Sequence, residues 1–500
     1  MTGRGRSHVV FAASEGVPFS KTGGLADVIG ALPRALAEQG QKVSVILPRY
    51  RETPPAPVTL SNLTLPLAGK FHFADVQSVG TDGKSSAQHH LIDCPEFFDR
   101  PGLYGEKGVD YRDNAERFAA FSLACLEFLK RQRRPPSVIH CHDWQTALIP
   151  VYLRTLYRGD RFFESTSVVL TIHNLGYQGL FPPEILSRLS LGRELFGLEG
   201  MEFFGKVNLL KGGIQFADIV TTVSPTYGRE IQTPEFGAGL EGVLAAKAKR
   251  IQGILNGVDY NDWNPAGDPH IAARYSATDP NGKIECKKDL LETFGFSKPD
   301  LARPVLGIVS RFAAQKGFDL IAEITKDLMK EKLYLVALGS GEKTYESLFL
   351  HLAEAYPEKV GVRVAYDNVL AHKIEAGADM FLMPSQYEPC GLNQIYSMKY
   401  GTVPVVRATG GLEDTVAPFD GDSGTGFKFK EYSGKALLKA VRTALKVYRN
   451  REAWKRLVSN GMEQDFSWTQ SAQRYLRIYR SLKRAANARA KKAERAAKLG

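Results

Sequence analysis

The amino-acid sequence predicts an α/β protein built from two doubly wound domains. Short apolar runs rich in β-branched residues alternate with segments of helical periodicity, a pattern typical of parallel strands that are buried on both faces. A chain of 500 residues is also longer than one hydrophobic core usually serves. Two glycine corners, residues 22–27 (TGGLAD) and 409–414 (TGGLED), carry nearly the same letters near opposite ends of the chain. Each half is therefore expected to contain a similar strand-to-helix turn.

The predicted strands fall into two series. In the first half, apolar runs predict strands over residues 8–13, 42–47, 137–141, 167–172, 218–223 and 250–255. In the second half, they predict strands over residues 304–309, 333–338, 360–365, 379–383 and 403–406. An Asn-Gly turn at residues 256–257, followed by a polar run to residue 280, marks the boundary between the series. We therefore predict domains over residues 1–255 and 256–465.

Amphipathic segments predict a helix near each end of the chain. From Leu25 onward, apolar residues recur at helical spacing until a glycine ends the segment. Near the C-terminus, an apolar stripe that includes Trp468 and Tyr479 predicts a helix over residues 466–483. The stripe then stops, so we expect residues 484–500 to form a basic, solvated tail.

The formal net charge of +11 is concentrated at the C-terminal end. Residues 474–500 hold ten Lys or Arg residues against one Glu, so they supply +9 and leave +2 for the rest of the chain. The body of the protein therefore lacks the charge that a nucleic-acid-binding surface requires, and we expect no nucleic-acid partner.

The cysteine pattern and the N-terminus indicate a cytoplasmic protein. The five cysteines, an odd number, include no CxxC pair, which argues against both a disulfide framework and a zinc knuckle. The apolar run near the N-terminus is too short for a signal peptide, and no stretch is long enough to span a membrane.

The segment of residues 388–394 (EPCGLNQ) is the strongest candidate for a ligand site. It leads from the predicted strand 379–383 into a helix that is expected to begin near Leu392. Backbone N–H groups at such a helix start are unpaired and the dipole is positive, so an anionic or hydroxyl-rich ligand is favoured. The sequence contains neither GxGxxG after a first strand nor GxxxxGK[ST], which argues against dinucleotide and P-loop sites.

Two cations follow the first strand of the second series. Arg311 and Lys316 lie five residues apart on the loop after residues 304–309, at the end of a strand where ligands bind in open sheets. They could place two positive charges on one diphosphate, or they could be ordinary surface charges. We expect both at the rim of an open site, where replacing them affects turnover more than stability.

A histidine-rich run could suggest a metal. In residues 140–142 (HCH), strand alternation places His140 and His142 on one face and Cys141 on the other, so the three do not converge on one ion. We therefore predict no metal site.

Seven motifs in order resemble the bacterial glycogen synthase and plant starch synthase family. They are residues 20–28 (SKTGGLADV), 142–144 (HDW), 171–174 (TIHN), 222–225 (TVSP), 255–259 (LNGVD), 310–317 (SRFAAQKG) and 388–392 (EPCGL). Together they span nearly the whole chain. The resemblance implies a retaining GT-B glycosyltransferase, with two Rossmann-like domains facing a deep cleft and a C-terminal helix that crosses back to the first domain.

The resemblance also implies the reaction. Glucose would pass from a nucleotide sugar, usually ADP-glucose, to the non-reducing end of an α-1,4-glucan. ADP-glucose would be a substrate, no cofactor would be needed, and the two cations would replace a divalent metal. A synthase that uses UDP-glucose and a non-catalytic glucan-binding relative are the alternatives, and oligomeric state is not readable from the sequence.

The resemblance assigns roles to individual residues. The candidate catalytic residues are Asp143, His173, Arg311, Lys316 and Glu388. The candidate substrate-binding residues are Lys21, Gly23, Gly24, Asp27, Asn256, Tyr366, Cys390, Gly391, Leu392, Asn393, Thr409, Gly410 and Gly411. Related GT-B enzymes often carry a second Glu where this chain has Tyr396, so ribose recognition must come from elsewhere.

Some of these residues have simpler readings. The corner of Lys21, Gly23 and Gly24 could be an ordinary strand-to-helix turn, and Asp27 could be a first-turn charge favoured by the helix dipole. Tyr366 could be a core aromatic residue.

Overall fold

The structure is a computed structural model that describes residues 7–80 and 87–497, with side chains through residue 489. The chain forms two compact units. The N-terminal unit runs to Val223, continues through Gly228–Gly257 and resumes at Trp468, and the C-terminal unit comprises Ser224–Tyr227 and Val258–Ser467. Within the described residues, no helix is long and apolar enough to cross a membrane.

The N-terminal unit is organised around one large sheet. The strands of the unit, including short ones outside this sheet, are His8–Ala12 (β1), Lys42–Pro48 (β2), Val58–Leu67 (β3), Lys70–Val79 (β4), Gln88–Asp93 (β5), Gly105–Glu106 (β6), Val109–Asp110 (β7), Val138–His142 (β8), Ser167–Ile172 (β9), Leu180–Phe181 (β10), Glu202–Phe203 (β11), Lys206–Asn208 (β12), Ile219–Thr222 (β13) and Ile251–Gly253 (β14). The large sheet has the order β14-β13-β9-β8-β1-β2-β5-β4-β3. Strands β14 to β5 in that order are parallel, and β4 and β3 add an antiparallel hairpin.

The sequence did not predict strands β3, β4 and β5. The hairpin strands carry many exposed positions, and Phe71 and Phe73 of β4 are among the exposed large apolar residues. One face of this hairpin therefore meets water, so it lacks the continuous apolar run that identified the other strands.

The helices up to residue 246 are Gly24–Glu38 (α1), Pro95–Phe98 (α2), Asn114–Lys130 (α3), Leu148–Arg154 (α4), Ile185–Arg188 (α5), Leu209–Phe216 (α6), Pro225–Glu230 (α7) and Glu241–Ala246 (α8). The predicted helix from Leu25 is α1, whose apolar face is buried against β1 and β2. Its position fixes the loop after β1, which carries the first glycine corner.

The C-terminal unit contains a second parallel sheet. Its strands are Val305–Val309 (β15), Tyr334–Gly339 (β16), Val360–Val364 (β17), Met380–Met383 (β18), Val403–Arg407 (β19) and Phe427–Phe429 (β20). Its helices are Gly282–Thr293 (α9), Phe318–Leu328 (α10), Lys343–Ala355 (α11), Asn368–Gly377 (α12), Asn393–Lys399 (α13), Gly410–Thr415 (α14), Gly434–Arg449 (α15) and Arg451–Met462 (α16). The strand order is β17-β16-β15-β18-β19-β20, and every pairing is parallel. Counted within the unit this is 3-2-1-4-5-6, the doubly wound order.

The last helix, Trp468–Ala497 (α17), belongs to the N-terminal unit. Its buried stripe packs in one core with the apolar face of α1, and its Tyr479 hydroxyl lies 2.8 Å from His140 Nδ1 on β8. The predicted return of the chain to the first domain is confirmed. The helix also extends through most of the predicted tail, of which residues 498–500 lie outside the described residues.

The division between the units differs slightly from the predicted boundary at residues 255 and 256. Asn256 and Gly257 stay with the N-terminal unit, and Val258 begins the C-terminal unit. A Cβ at Gly257 would lie only 2.6 Å from Trp468 Cα, so this glycine permits close approach of the first turn of α17. The close packing holds Gly257 in the N-terminal unit.

Candidate active site

The predicted site residues of the C-terminal unit all follow the carboxyl ends of its strands. Arg311 and Lys316 follow β15, Tyr366 follows β17, and the segments 388–393 and 409–411 follow β18 and β19. Strands β15 and β18 are neighbours although α10, β16, α11, β17 and α12 lie between them in sequence. The strand order reverses between them, which is the position where open α/β sheets bind ligands.

Lys316 and Glu388 form an ion pair at this reversal point. Lys316 Nζ lies 2.6 Å from Glu388 Oε2, and the two side chains are 19% and 8% exposed. The Ser385 hydroxyl donates a hydrogen bond of 3.0 Å to the same carboxylate oxygen. The sequence predicted both charged residues as site residues but not their contact, because they lie on different loops.

Backbone contacts tie these two loops together. Gln386 N donates to the Gln315 carbonyl at 2.8 Å, and Gln315 Nε2 donates to the Tyr387 carbonyl at 3.0 Å. Gly317 has a φ of +73°, and a Cβ there would overlap the carbonyl of Pro384. A glycine is therefore required where the two loops meet.

The second glycine corner supports the backbone of Glu388 from behind. Gly411 N donates to the Glu388 carbonyl at 3.0 Å. Gly410 has a φ of +45°, and a Cβ there would overlap the same carbonyl oxygen, whereas a Cβ at Gly411 would overlap Cys390. These glycines are needed for close backbone approach, and Thr409, which is buried, precedes α14 as its N-cap residue.

Gln394 joins the two corners, and the sequence analysis gave it no role. Its fully buried Nε2 donates to the carbonyls of Cys390 and Gly391 and to the Thr415 hydroxyl, at 3.0 to 3.1 Å. Gly391, with a φ of +68°, sits directly against this side chain. The sequence signal for this role was the position of Gln394, three residues after Gly391 and at the start of the predicted helix.

The other predicted residues of this unit differ in exposure. Arg311 is exposed, as expected for the rim of a site, whereas Lys316 is mostly buried, so that part of the prediction is wrong. Asn393 begins α13 and donates through Nδ2 to the Val309 carbonyl at 2.7 Å, which fixes the end of β15. Leu392 is the N-cap residue of this helix. Tyr366 is 82% exposed, which excludes the core-aromatic reading.

In the N-terminal unit, the predicted site residues also gather at the carboxyl edge of the sheet. The loop after β1 carries Lys21, Gly23 and Gly24, while Asp143 follows β8, His173 follows β9 and Asn256 follows β14. Strand β1 pairs with both β2 and β8, so the strand order reverses between β1 and β8.

Asp143 adopts a strained backbone at this edge. Its φ is +55° and its ψ is −170°, which a non-glycine residue rarely adopts. The carboxylate accepts a hydrogen bond of 2.7 Å from His173 N, and the backbone N–H of Asn174 also bonds to it. Burial raises the pKa of Asp143 to about 7, against the lowering effect of these hydrogen bonds.

His173 lies against a second histidine. Its Nε2 is 2.9 Å from His142 Nδ1, and burial lowers the pKa of His173 to about 3. Burial also lowers the pKa of His142 well below its ordinary value, with the neighbouring histidines His140 and His173 adding to the effect. Both imidazoles are therefore neutral at pH 7. Strand alternation indicates which face His142 occupies but not that it contacts His173, which lies on the neighbouring strand's loop.

The histidine-rich run lies as strand alternation predicts. The rings of His140 and His142 are 4.3 Å apart on one face of β8, and His140 bonds to Tyr479 and Thr171. Among the described residues, no group of three His, Cys, Asp or Glu side chains has the arrangement of a metal site. The predicted metal independence stays a prediction.

The first glycine corner is arranged around a carboxylate, Glu15, that lies outside the motif of residues 20–28. Glu15 is buried, and its Oε2 accepts hydrogen bonds from both the backbone N–H and the hydroxyl of Thr22. Burial raises the pKa of Glu15, opposed by these bonds. Gly23 and Gly24 follow directly and open α1.

Lys21 and Asp27 form an ion pair of 2.7 Å beside this corner, with side chains 42% and 33% exposed. Asp27 lies in the first turn of α1, where the helix dipole also favours a carboxylate. An exposed pair of this kind contributes at most about 1 kcal/mol to stability. Stability alone therefore gives little reason for this lysine.

Asn256 has an orphaned polar atom. The residue is buried, and its Oδ1 has no hydrogen-bond partner among the described residues. An unpaired buried amide oxygen costs about 1–3 kcal/mol unless a ligand or water satisfies it. This residue therefore fits the predicted role in substrate binding.

Two family models cover most of the chain. The model of the starch synthase catalytic domain matches residues 8–246, and the model of glycosyl transferases group 1 matches residues 292–461. A glycogen synthase from Koribacter versatilis (strain Ellin345) is 56% identical over 481 residues, which cover 95% of this chain and 98% of that protein. The chain belongs to the glycogen synthase family. A glycogen synthase from Anaeromyxobacter dehalogenans (strain 2CP-1) is 48% identical over 477 residues, covering 95% of this chain and 99% of that protein.

Solved structures agree with this membership of the glycogen synthase family. The catalytic domain of starch synthase IV from Arabidopsis thaliana, bound to ADP and acarbose, has a TM-score of 0.87 and 35% identity, over 96% of this chain and all of that one. A sucrose-phosphate synthase from Thermosynechococcus elongatus, 18% identical with a TM-score of 0.60 over 96% of this chain and 100% of that one, shares the fold. The predicted GT-B class, with two α/β units and parallel sheets, is confirmed, as is membership of a glycosyltransferase family.

Proposed function

We propose that this protein transfers glucose from ADP-glucose to the non-reducing end of an α-1,4-glucan, with retention of the anomeric configuration. Its membership of the glycogen synthase family supports the glucan product. The starch synthase relative that was solved with ADP and acarbose supports the adenine nucleotide. ADP-glucose is then a substrate, and the reaction takes place in the cytoplasm without a cofactor.

The observation that carries the proposal is the Lys316–Glu388 pair at the reversal point of the C-terminal sheet. Cleavage of a nucleotide sugar leaves negative charge on the diphosphate, and preorganised cations stabilise that charge in the transition state. We assign this role to Lys316, with Arg311 as the second cation. Glu388 lies beside it, where a carboxylate accepts hydrogen bonds from sugar hydroxyls and stabilises a cationic anomeric centre.

In the N-terminal unit, His173 and Asp143 keep the roles towards the transferred glucose that the family resemblance implies. Because His173 is neutral at pH 7, it acts through hydrogen bonds rather than as a charged group. Its Nε2 is engaged with His142, which leaves Nδ1 for the sugar. His142 is a positioning residue in this scheme.

Transfer from labelled ADP-glucose and labelled UDP-glucose onto glycogen, measured in separate reactions, tests the donor. We expect incorporation from ADP-glucose, and NMR of the product should show α-linked glucose. Turnover with UDP-glucose alone, or with neither donor, would contradict the proposal.

The absence of a metal requirement is tested separately. We expect EDTA to leave turnover unchanged, and Arg311→Ala to reduce turnover roughly a hundredfold, as loss of one preorganised donor does in other enzymes. Arg274→Ala removes another exposed arginine of the same unit and serves as the control. Inhibition by EDTA that magnesium reverses, with normal turnover in Arg311→Ala, would show that a metal neutralises the diphosphate.

A further inference from the structure

A cavity of about 500 Å³ on the N-terminal unit is lined by four arginines, Arg154, Arg158, Arg250 and Arg489, and by one carboxylate, Asp218. Its volume is within the range of small-molecule sites. Asp218 directly precedes β13 and Arg250 directly precedes β14, so the cavity lies at the amino edge of the sheet. The candidate catalytic residues of this unit follow the carboxyl ends of the strands, at the opposite edge.

The carboxylate of this cavity, Asp218, already accepts hydrogen bonds from other groups of the protein. Asp218 Oδ2 accepts hydrogen bonds from Val168 N at 2.8 Å and from Arg154 Nη2 at 3.1 Å. Arg489 Nη2 lies 3.8 Å from Oδ1 of the same residue. Within the described residues, Arg158 and Arg250 form no ion pair with any carboxylate.

The charged side chains that line the cavity make it positive. Among the side chains that the structure describes, the four arginines and one aspartate of the lining give a formal charge of +3. The C-termini of α4 and α6 also border the cavity, and two helix ends supply roughly one negative charge in total. One carbonyl at the end of α6, that of Gln215, already accepts a hydrogen bond from Lys247 at 3.3 Å. The helix ends therefore do not balance the four guanidinium groups.

These arginines come from distant parts of the sequence. Arg154 and Arg158 flank the end of α4, Arg250 precedes β14, and Arg489 lies on α17. All four side chains are exposed, so water screens part of their mutual repulsion, and an anion that bridges them would remove the remainder. Guanidinium groups bind phosphate oxygens through paired, charge-assisted hydrogen bonds.

We propose that this arginine-lined cavity is a second binding site, separate from the candidate active site, for a small molecule that carries a phosphate group. Arg158 and Arg250 supply the main contacts, because no carboxylate among the described residues pairs with them. Arg154 and Arg489 contribute charge while they neutralise Asp218. The proposal does not depend on the identity of the sugar donor.

Isothermal titration of the full chain with pyrophosphate tests the site. Besides the event at the candidate active site, we expect one binding event at the cavity, which Arg158→Ala and Arg250→Ala each weaken roughly tenfold or more, since a hydrogen bond to a charged group has that effect on affinity. Arg133→Ala, which removes an exposed arginine elsewhere in the same unit, is the matched control and should bind normally. A chain that ends at Lys483 lacks Arg489 and should bind more weakly.

Diphosphate binding at the candidate active site is distinguished by Arg311→Ala. That variant should lose the active-site event and keep the cavity event. The proposal is overturned if the only pyrophosphate binding is abolished by Arg311→Ala, or if Arg158→Ala and Arg250→Ala bind like the unmodified chain.

Thermal melting supplies a readout that misfolding would not mimic. Without added phosphate, Arg250→Ala should melt at or above the temperature of the unmodified chain, because repulsion between arginines is relieved. Added pyrophosphate should raise the melting temperature of Arg311→Ala, in which only the cavity binds it, and should raise it less when Arg250→Ala is combined with Arg311→Ala. An equal rise in Arg311→Ala and in the double variant would overturn the proposal.

Comparison of inorganic phosphate with glycerol 3-phosphate identifies the source of the anion. Equal affinity, sensitive to Arg250→Ala, assigns the site to the phosphate group itself. Tighter binding of the ester assigns the rest of the cavity to the organic part of the ligand. Absence of binding by both, together with absence of pyrophosphate binding, overturns the proposal.

Discussion

Removing either partner of the Lys316–Glu388 pair is expected to destabilise the C-terminal unit. Lys316→Met leaves the Glu388 carboxylate, which is 8% exposed, without its cation, and Glu388→Gln leaves the ammonium group, which is 19% exposed, without its anion. Breaking a buried pair in this way costs about 3–5 kcal/mol. Because part of the lysine still contacts water, we expect about 3 kcal/mol for each variant. For a unit of this size, that corresponds to a fall of about 6–12 °C in melting temperature.

The double variant separates the pair from its surroundings. With both charges gone, no unpaired charge is left, so the combined loss should be smaller than the sum of the single losses by about 2 kcal/mol. Scanning calorimetry of the full chain measures all three variants. Lys330→Met is the control, because Lys330 pairs with Asp327 on the surface, where both side chains are more than half exposed and such a pair contributes little to stability.

Two results would refute this reasoning. Single variants that melt like the unmodified chain would show that the pair is solvated and that the cation and carboxylate are independent. Strictly additive losses would show that the two side chains do not interact. In either case Lys316 would be a rim residue, as the sequence alone had suggested.

Three further outcomes are expected. Burial keeps His140 neutral in the folded protein and lowers its pKa to about 3, so stability is lost as pH falls through 6.5. In His140→Gln, the loss of unfolding free energy between pH 6.5 and 5.5, measured with urea, should be about 1 kcal/mol smaller. A chain that ends at Lys483 should melt within about 2 °C of the full chain. A chain that ends at Asp465 should not fold, because it lacks the large buried side chains of α17, each of which contributes about 1.5–3 kcal/mol. Similar melting of the two truncated chains would contradict the packing of this helix. Gly410→Ala should lower both turnover and melting temperature more than Gly295→Ala, since both glycines have positive φ but only Gly410 lacks space for a Cβ. Equal effects of the two substitutions would mean that the close approach of Gly410 to the Glu388 carbonyl is not required.

Much of the fold followed from apolar runs, because a strand in a parallel sheet is buried on both faces and has few polar residues. The hairpin of β3 and β4 did not follow, since one face meets water and its apolar residues alternate with polar ones. The limits of the two units were also set by packing, because the contact of Gly257 with Trp468 joins residues that are far apart in sequence. A contact between residues so far apart in sequence leaves no recognisable pattern in the sequence around either residue.

The candidate site was predictable in composition but not in detail. Position at the carboxyl end of a strand identified Arg311, Glu388 and Asp143, since neighbouring parallel strands bring their carboxyl ends together. The contacts that set the chemistry of these residues, such as the ion pair between Glu388 and Lys316, form between loops that are far apart in sequence. The sequence alone does not show how those loops lie against each other. The buried partner His142 was identified in the sequence but not matched to His173, for the same reason.

The packing of α17 in one hydrophobic core with α1 has a consequence for synthesis on the ribosome. The apolar face of α1 is made early, but its partners Trp468, Tyr475 and Tyr479 are made only after the whole C-terminal unit. At ~5–20 residues per second, the roughly 200 intervening residues take on the order of 10–40 s to translate. Throughout that interval the nascent chain carries an uncovered apolar groove along α1, which is the kind of surface that chaperones bind. The N-terminal unit therefore completes its core only after the C-terminal unit has been synthesised.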